Sequence, residues 1–539
     1  MAQRTRKFAR LEDFTGGLNL RADQFQLAPN ESPEMVDVDI DPRGGLKVRR
    51  GVAPLPSSLG PEFIWEAPFV LDANNPNGPA PVAPTQLFAF TNSTGVQQII
   101  SRNGEGMRYG TGGDFLAMGA TVNANAVVSC RNFNDLFYIQ DGVSQARRWD
   151  GSTLTTLGTA WANSIAAPTG GNMPIAKHVT SHLGRVWVAH TTESATTYRN
   201  RIRWSHPNRG EDFRQSDFID VDIGVDGDEI TALVPFRGHL LVFKRRSLYA
   251  VYGSSEDDFR VVLLSATTGC PDHRAIAMSE TQVFWWAWPD GVYAYNGEGI
   301  AYLFDRLRPC IRDGRSNPSN GHVALGYAEG RLYVGVPFGT APTRTTFVYD
   351  ETASRNGSWT RHSLEMTSFL HRRLADGTTQ SLVTLRSRLR VYRCNVETQA
   401  SDDFGAGPVP IPAVYRTAWI DGEMAPANKK FGRPWIVGNS NNSVPMTVQA
   451  YKNFDGVNYD ANRLLNFTLV DSASGSGTWG SGTWGSGTWG LAQAVYEVES
   501  LLSIGTCKSV QLRFAAPSSV AADWAINSIV IPYTPKTVK

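Results

Sequence analysis

A long apolar run, a close pair of cysteines and an excess of one charge are all missing from this 539-residue sequence. A helix needs roughly 20 consecutive apolar residues to cross a bilayer, and the densest apolar stretch, Val283 to Trp288, is far shorter. The formal net charge of +1 argues against a surface dedicated to DNA, since such proteins carry an excess of lysine and arginine. The wide spacing of the cysteines is not that of a zinc knuckle or a redox couple. They are Cys130, Cys270, Cys310, Cys394 and Cys507.

The N-terminus lacks the features of a secretory signal. Met1 to Arg10 is basic, but it is followed by Leu11-Glu12-Asp13-Phe14 rather than by an apolar run with a cleavage site. We therefore expect a soluble chain, without a membrane span, that is made and folded in a cytoplasm.

Glycine, proline and aromatic residues are plentiful. The chain has 51 glycines, 30 prolines and 11% aromatic residues, with only 19% charged residues. This composition favours strands and turns over long helices. At this length the chain has material for several domains, so we expect an all-β protein of more than one domain.

A unit of two short strands around a tight turn recurs through the middle of the chain. Its clearest copy runs from Val283 through Asp290-Gly291 to Asn296-Gly297. The units begin near 87, 136, 186, 240, 283, 332 and 382, at spacings of 49, 50, 54, 43, 49 and 50 residues. Even spacing of short strands is typical of a β-propeller. The pattern predicts a propeller of about seven blades over residues 61–402; the alternative is a meandering β-sandwich, whose strands need not recur evenly.

The composition changes after the last unit. Residues 401–412 are rich in proline and glycine, as a linker is. The strand-like runs beyond it predict a C-terminal β-sandwich over 403–539. Inside it, residues 472–490 carry the motif Gly-Ser-Gly-Thr-Trp three times, and its five-residue spacing gives neither a strand nor a helix a continuous apolar face. This loop is either a contact surface or a neutral expansion; its tryptophans are Trp479, Trp484 and Trp489.

The first 60 residues contain no copy of the repeat and are predicted to form an extended assembly arm. Basic side chains near its start suit an acidic partner surface or a solvated terminus. They are Arg4, Arg6, Lys7 and Arg10.

Residues suited to metal binding or catalysis are few. The acidic run from Asp217 to Glu229 offers oxygen ligands for Ca²⁺, but it lacks the order of an EF-hand loop and also fits a turn between strands. The candidate ligands in it are Asp222, Asp226 and Asp228. His178, His182 and His190 lack a further ligand at metallohydrolase spacing. The sequence has no motif for a nucleophilic serine or for nucleotide binding. We therefore expect a protein that has no cofactor and is not an enzyme. The enzymatic alternative is a propeller glycosidase, which needs two carboxylates.

Motifs along most of the chain resemble the tail-nozzle and packaged-DNA-stabilisation proteins of bacteriophages. At the N-terminus they are Phe14 to Leu20, Asn30 to Ser32, and Asp39 to Gly51. In the repeats they are Asp226 to Leu233, Leu241 to Lys244, Gly269, Phe284 and Gly291 to Tyr293, and near the C-terminus Thr417 to Ile420 and Lys429 to Phe431. The tryptophan repeat is not part of the family pattern.

The resemblance implies a structural protein of the virion tail, made in the host bacterium. It implies a homo-oligomeric ring, commonly of six copies, that binds below the head-to-tail adaptor and contacts tail fibres or other tail proteins. Phage DNA would pass through the ring without sequence-specific binding, and low net charge suits a conduit because a strongly basic wall would hold the polyanion. Another minor tail, baseplate or fibre-attachment protein is the alternative within the virion.

Overall fold

The computed structural model describes residues 6–56 (except 24 and 42), 84–161 (except 104–105, 112–114 and 124–125), 171–222, 228–314, 322–338, 343–396 (except 387 and 389), 400–422 (except 406), 426–440, 444–459, 464–469, 496–516 (except 501) and 523–536. In these ranges the chain is built of strands, with one α-helix, α1 (Arg308–Gly314), and short 3-10 turns at His273–Ala275 and Asp305–Leu307. The all-β prediction is confirmed.

The N-terminal part contains short strands that pair with distant parts of the chain. They are β1 (Lys7–Leu11), β2 (Gly17–Leu18), β3 (Glu31–Ser32), β4 (Glu34–Val36), β5 (Val38–Ile40), β6 (Leu46–Val48) and β7 (Gly51–Pro54).

Five four-stranded antiparallel sheets follow in chain order and form the first blades of a β-propeller. Blade 1 is β8 (Pro84–Thr91), β9 (Gln97–Asn103), β10 (Gly106–Gly110) and β11 (Leu116–Thr121). Blade 2 is β12 (Ser129–Phe133), β13 (Leu136–Gln140), β14 (Arg147–Trp149) and β15 (Leu154–Thr156). Blade 3 is β16 (Ile175–His182), β17 (Arg185–Glu193), β18 (Thr196–Ser205) and β19 (Phe213–Asp220). Blade 4 is β20 (Ile230–Phe236), β21 (His239–Lys244), β22 (Leu248–Tyr252) and β23 (Arg260–Ser265). Blade 5 is β24 (Ile276–Met278), β25 (Val283–Ala287), β26 (Gly291–Tyr295) and β27 (Ile300–Tyr302).

Two further four-stranded units complete the repeats. The first, β28 (Ala324–Ala328), β29 (Arg331–Phe338), β30 (Thr343–Asp350) and β31 (Ser358–His362), is one end of a nine-stranded sheet. The second, the closing blade, is a separate four-stranded sheet of β32 (Met366–Arg373), β33 (Thr379–Leu385), β34 (Val391–Val396) and the N-terminal strand β7. The fold is thus a β-propeller with six blades that stand as separate sheets.

The first strand of each unit lies at the centre. Among these inner strands, β8 contacts both β12 of the next blade and β32 of the closing blade, so the ring of blades closes on itself. The second strand of each blade is covered on both faces by the neighbouring blades and is almost wholly buried. In β25, Val283–Ala287, all five residues are buried. Burial on both faces explains why these strands are apolar without alternation.

The closing blade joins the two ends of the propeller. Strand β7 pairs antiparallel with β34, with Ala53 opposite Arg393 and Pro54 opposite Tyr392. The blade formed by the last repeat is therefore completed by residues that precede the first repeat, which leaves no exposed edge on β34.

The C-terminal part forms two sheets with the N-terminal strands. The nine-stranded sheet continues from β31 through β4, β37 (Val414–Arg416), β44 (Val510–Ala515), β40 (Val444–Lys452) and β41 (Leu465–Leu469). An eight-stranded sheet joins β1, β5 and β6 to β38 (Lys429–Phe431), β39 (Trp435–Ser440), β42 (Tyr496–Glu499), β43 (Gly505–Cys507) and β45 (Trp524–Pro535). A short hairpin, β35 (Ser401–Asp403) and β36 (Pro408–Pro410), stands between the propeller and these sheets. Both sheets contribute to one core, which includes Ile436, Ile529, Val448 and Phe514.

Buried ion pairs tie the N-terminal part to the propeller. Arg49 donates from Nε to Asp37 Oδ1 (2.6 Å) and from Nη1 to Asp402 Oδ1 (2.8 Å). Arg331 donates from Nη1 to Asp39 Oδ2 (2.8 Å). Residues 1–60 were predicted to form an extended assembly arm; strands in their described part, 6–56, pair with strands of the same chain.

Candidate functional site: a cavity at the propeller axis

A cavity of about 360 Å³ lies where blades 2 to 5 converge. It is lined by residues just before or at the start of the inner strands, such as Lys177 and His178 on β16, Glu229 before β20, and Asp272 before β24. Loops between second and third strands add Asp141 and Arg245. Both kinds of loop reach the same face of a propeller, because successive strands of each blade run antiparallel.

One wall of the cavity is built around Glu229. Its Oε1 accepts a hydrogen bond from Arg245 Nη2 (2.7 Å), and its Oε2 lies 3.6 Å from both Lys177 Nζ and His190 Nδ1. His190 reaches this position from a β-bulge in β17, at a φ of 57°. Burial alone would raise the pKa of Glu229, but the Arg245 hydrogen bond and the charge of Lys177 bring it below its usual value.

The other two carboxylates are held by donors of the chain. Asp141 Oδ1 accepts from the backbone N–H of Val143 (2.9 Å) and Ser144 (2.7 Å). Asp272 accepts from Arg274 Nη2 (2.5 Å) and from the Arg274 backbone N–H (2.9 Å). Burial opposes ionisation at both sites, yet the pKa of each lies below its usual value: hydrogen bonds from the chain lower that of Asp141, and the Arg274 charge and hydrogen bonds lower that of Asp272. Both groups are therefore anions whose oxygens already have partners.

Two histidines lie between these walls. The rings of His178 and His273 meet edge to face with centroids 5.7 Å apart. Burial lowers the pKa of both residues, so both imidazoles are neutral near pH 7. His273 Nε2 donates to the Val128 carbonyl (3.1 Å), whereas His178, which is 8% exposed, has no hydrogen-bond partner for Nδ1 anywhere in the described chain.

The carboxyl groups that line this cavity differ from the acid of a glycosidase. That acid has a raised pKa, so that it holds a proton near neutral pH. Asp141, Glu229 and Asp272 instead all have lowered pKa values, because hydrogen bonds and nearby cations stabilise their charged forms.

The predicted calcium ligands have other partners. Asp222 Oδ2 accepts from the Tyr249 hydroxyl (2.6 Å), and Asp228 Oδ2 accepts from Ser247 Oγ (2.7 Å). Asp228 therefore stabilises the turn between β21 and β22, and Asp222 is bound to β22 itself. Asp226 lies outside the described residues, within which no cluster of three or more acidic, histidine or cysteine side chains is placed to hold a metal ion.

The predicted assembly-arm residues that the structure describes do not line the cavity. Lys7 and Arg10 are on β1, which pairs with β45, and the Arg6 guanidinium lies 5.5 Å from the Phe8 ring centroid. Arg4 and the three tryptophans Trp479, Trp484 and Trp489 are outside the described residues. None of the helices in the described ranges has the length and hydropathy needed to span a membrane.

Lys177 and Arg245 were not predicted from the sequence. Glu229 was noted only as the end of an acidic run, although its neighbours on other blades define its role. The only sequence signal for this wall is the proximity of Glu229 to the start of an inner strand, and that signal does not reveal the two cations.

Comparison with known proteins gives no family for the chain. No protein-family model and no curated protein sequence matches the chain. Among solved structures, it is similar to BBS1N in complex with ARL6DN, at 13% identity and a TM-score of 0.38, over 59% of this chain and 93% of that one. It is also similar to YCF48 bound to D1 peptide, at 8% identity and a TM-score of 0.39, over 67% and 99%. The WD40 domain of Neurospora crassa Pan2 matches at 8% identity and a TM-score of 0.35, over 64% and 94%.

Proposed function

We propose that the chain is a non-catalytic structural protein of a bacteriophage tail, the nozzle below the head-to-tail adaptor. The observation that carries the proposal is the position of the N-terminal motifs that resemble this family. Residues 39–51 include Asp39, which pairs with Arg331 on β29, and Arg49, which pairs with Asp402 in the hairpin after the last repeat. The motifs thus coincide with the junction on which the architecture depends.

The propeller is proposed to have seven blades. The strands β28–β31 are paired in the same antiparallel order as the six separate blades. The inner strand β28 contacts β24 on one side and β32 on the other, as a blade between blade 5 and the closing blade would. The unit is then the seventh blade, extended outward by β4 and the C-terminal strands.

The two C-terminal sheets are proposed to form a β-sandwich. Strand β41 of one sheet contacts β39 and β42 of the other, as the inner faces of a sandwich do, and both sheets share a buried apolar cluster with blades 4 and 5. The N-terminal strands β1, β4, β5 and β6 belong to these sheets, so the sandwich includes residues from both ends of the chain.

The proposed partners are other copies of the chain in a ring, commonly of six, the adaptor, a tail fibre or other tail protein, and DNA in transit through the channel. Strand β1 is the proposed assembly edge. In the described sheet it pairs only with β45, and its Phe8 is 46% exposed beside Lys7 and Arg10. An edge of this kind accepts a strand from a neighbouring protein.

Electron microscopy of the purified full-length protein, with mass measurement of the particles, tests this function. Rings with a central hole that co-purify with tails are the expected result. Monomers that hydrolyse a glycan panel would overturn the proposal in favour of an enzyme, and non-annular particles located at the distal tail would favour a baseplate or fibre-attachment protein.

A further inference from the structure

The axial cavity contains unused hydrogen-bond donors. The Lys177 ammonium has three N–H donors, and its nearest acidic oxygen, Glu229 Oε2 at 3.6 Å, is too distant for a hydrogen bond. Arg245 has five donors and uses one of them on Glu229 Oε1, and its side chain is 58% exposed. The two cations face a single carboxylate, so this wall carries an excess positive charge.

The two aspartates of the cavity have other described partners. Asp272 is neutralised by Arg274 at 2.5 Å. Asp141 is satisfied by backbone N–H groups and also interacts electrostatically with Arg102. The N–H donors of Lys177 and Arg245 therefore remain for the acceptor oxygens of a ligand.

His178 provides an independent indication of a ligand. It lines the cavity, is 8% exposed, and has a buried Nδ1 without a partner. An unpartnered buried polar atom destabilises the folded chain, because it has lost its hydrogen bonds to water without gaining others. His178 shares the lining of the cavity with Lys177 of one wall and Asp272 of the other.

We propose that the axial cavity binds a small oxyanion, a phosphate or carboxylate group, through Lys177 and Arg245, with His178 as a further hydrogen-bonding partner. Both oxyanions accept charge-assisted hydrogen bonds from ammonium and guanidinium groups. The cavity volume of about 360 Å³ lies at the lower end of the range for ligand sites, roughly 300–1,000 Å³. The ligand is thus small, and its binding is independent of a role in a phage tail.

Titration calorimetry on the full-length protein tests the site with inorganic phosphate in one arm and acetate in the other, at constant ionic strength set with chloride. Saturable 1:1 binding of at least one anion is expected. Binding of phosphate alone assigns a phosphate ligand, binding of acetate alone a carboxylate, and equal binding a site that accepts either. The Lys177→Gln/Arg245→Gln variant should weaken binding roughly tenfold or more, because two charge-assisted donors are lost.

Arg260→Gln is the matched control, since this exposed arginine lies on the outer strand β23 and should leave affinity unchanged. A second readout is the ring ¹⁵N spectrum of histidine-labelled protein, assigned with His178→Asn: the binding anion should shift the His178 signal but not that of exposed His371. Absence of saturable binding for both anions, equal affinity in the double variant, or an unmoved His178 signal would overturn the proposal.

Discussion

At the scale of single residues, the buried Arg49 holds two parts of the molecule together. Its side chain is 1% exposed and binds Asp37 and Asp402, which lie in the N-terminal part and beyond the last repeat. Arg49→Ala leaves two buried carboxylates without their counter-charge, so we expect a loss of about 3–5 kcal/mol in the free energy of unfolding. Urea denaturation followed by tryptophan fluorescence measures it.

The neighbouring Arg50 provides the matched control for this experiment. It binds Asp523 at 2.8 Å, but its side chain is 37% exposed, so Arg50→Ala should cost only about 1 kcal/mol or less. Equal losses in the two variants would mean that burial does not set the strength of these pairs.

Histidines make stability depend on pH. Burial lowers the pKa of His182 to about 4 and that of His322 to about 3. A histidine in the unfolded chain has a pKa near 6.5, so as the pH falls it takes up a proton before the same histidine in the folded chain does. Proton uptake stabilises the unfolded chain, so the free energy of unfolding decreases below about pH 6.5. The decrease continues until the pH reaches the pKa of the folded state. We expect the melting temperature to fall as the pH is lowered from 7.5 to 4.5. Over this range each histidine should reduce the free energy of unfolding by about 2–3 kcal/mol.

The variant His322→Gln should flatten this dependence. Glutamine retains a donor for the Thr367 carbonyl, which His322 Nε2 contacts at 2.7 Å, but it does not titrate. His371→Gln, at an exposed position, is the control and should leave the profile unchanged. A profile as steep in His322→Gln as in the wild type would contradict the assignment.

At the scale of elements, closure of the propeller depends on β7. Val52 is fully buried on this strand, in a core that includes Tyr333 and Val383. Val52→Asn places an amide there without a partner, at a cost of roughly 1–3 kcal/mol. We expect faster amide hydrogen exchange in β34 and β33 while blade 3 keeps its protection. Val262→Asn on the exposed strand β23 is the control and should leave exchange in β33 and β34 unchanged. An equal rise of exchange in all blades of the Val52→Asn variant would show that β7 does not act on the closing blade in particular.

The repeat could be predicted because one strand of each unit has a strong sequence signal. Six of the seven predicted starts, from 136 to 382, fall on second strands such as β13, β25 and β33, which are buried on both faces. The start at 87 falls instead on the inner strand β8. Outer strands such as β23, with exposed Val262 and Leu263, do not have this signal.

The roles of the N-terminal strands could not be predicted for a different reason. They have two to five residues each, and Lys7 pairs with Tyr533 at the other end of the chain. Such pairing leaves no local period in the sequence. The cavity is similar, since Lys177, Glu229 and Asp272 come from different blades and meet only once the ring has closed.

The free edge of β1 gives an assembly prediction. Lys7→Glu/Arg10→Glu reverses the charge of this edge without touching a buried side chain. We expect an unchanged melting temperature and fewer rings in electron micrographs, because like charges oppose docking. Lys430→Glu, on an exposed position of β38 in the same sheet, is the control. Normal ring formation by the double variant would rule out β1 as the assembly edge.

At the scale of the whole molecule, the predicted tryptophan loop, residues 472–490, follows the repeats in the sequence. Trp479, Trp484 and Trp489 lie among glycine, serine and threonine, which offer no apolar surface to cover them. Burying an aromatic ring stabilises by a few kcal/mol, so we expect these rings to pack on another copy or another tail protein. Replacing all three with serine should leave the melting temperature of the monomer nearly unchanged and lower ring assembly or infectivity.

The matched control replaces Thr478, Thr483 and Thr488 with alanine, which keeps the tryptophan side chains and the length of the segment. Unfolding of the serine variant would assign the tryptophans to the C-terminal core, and full infectivity would identify the repeat as a neutral expansion.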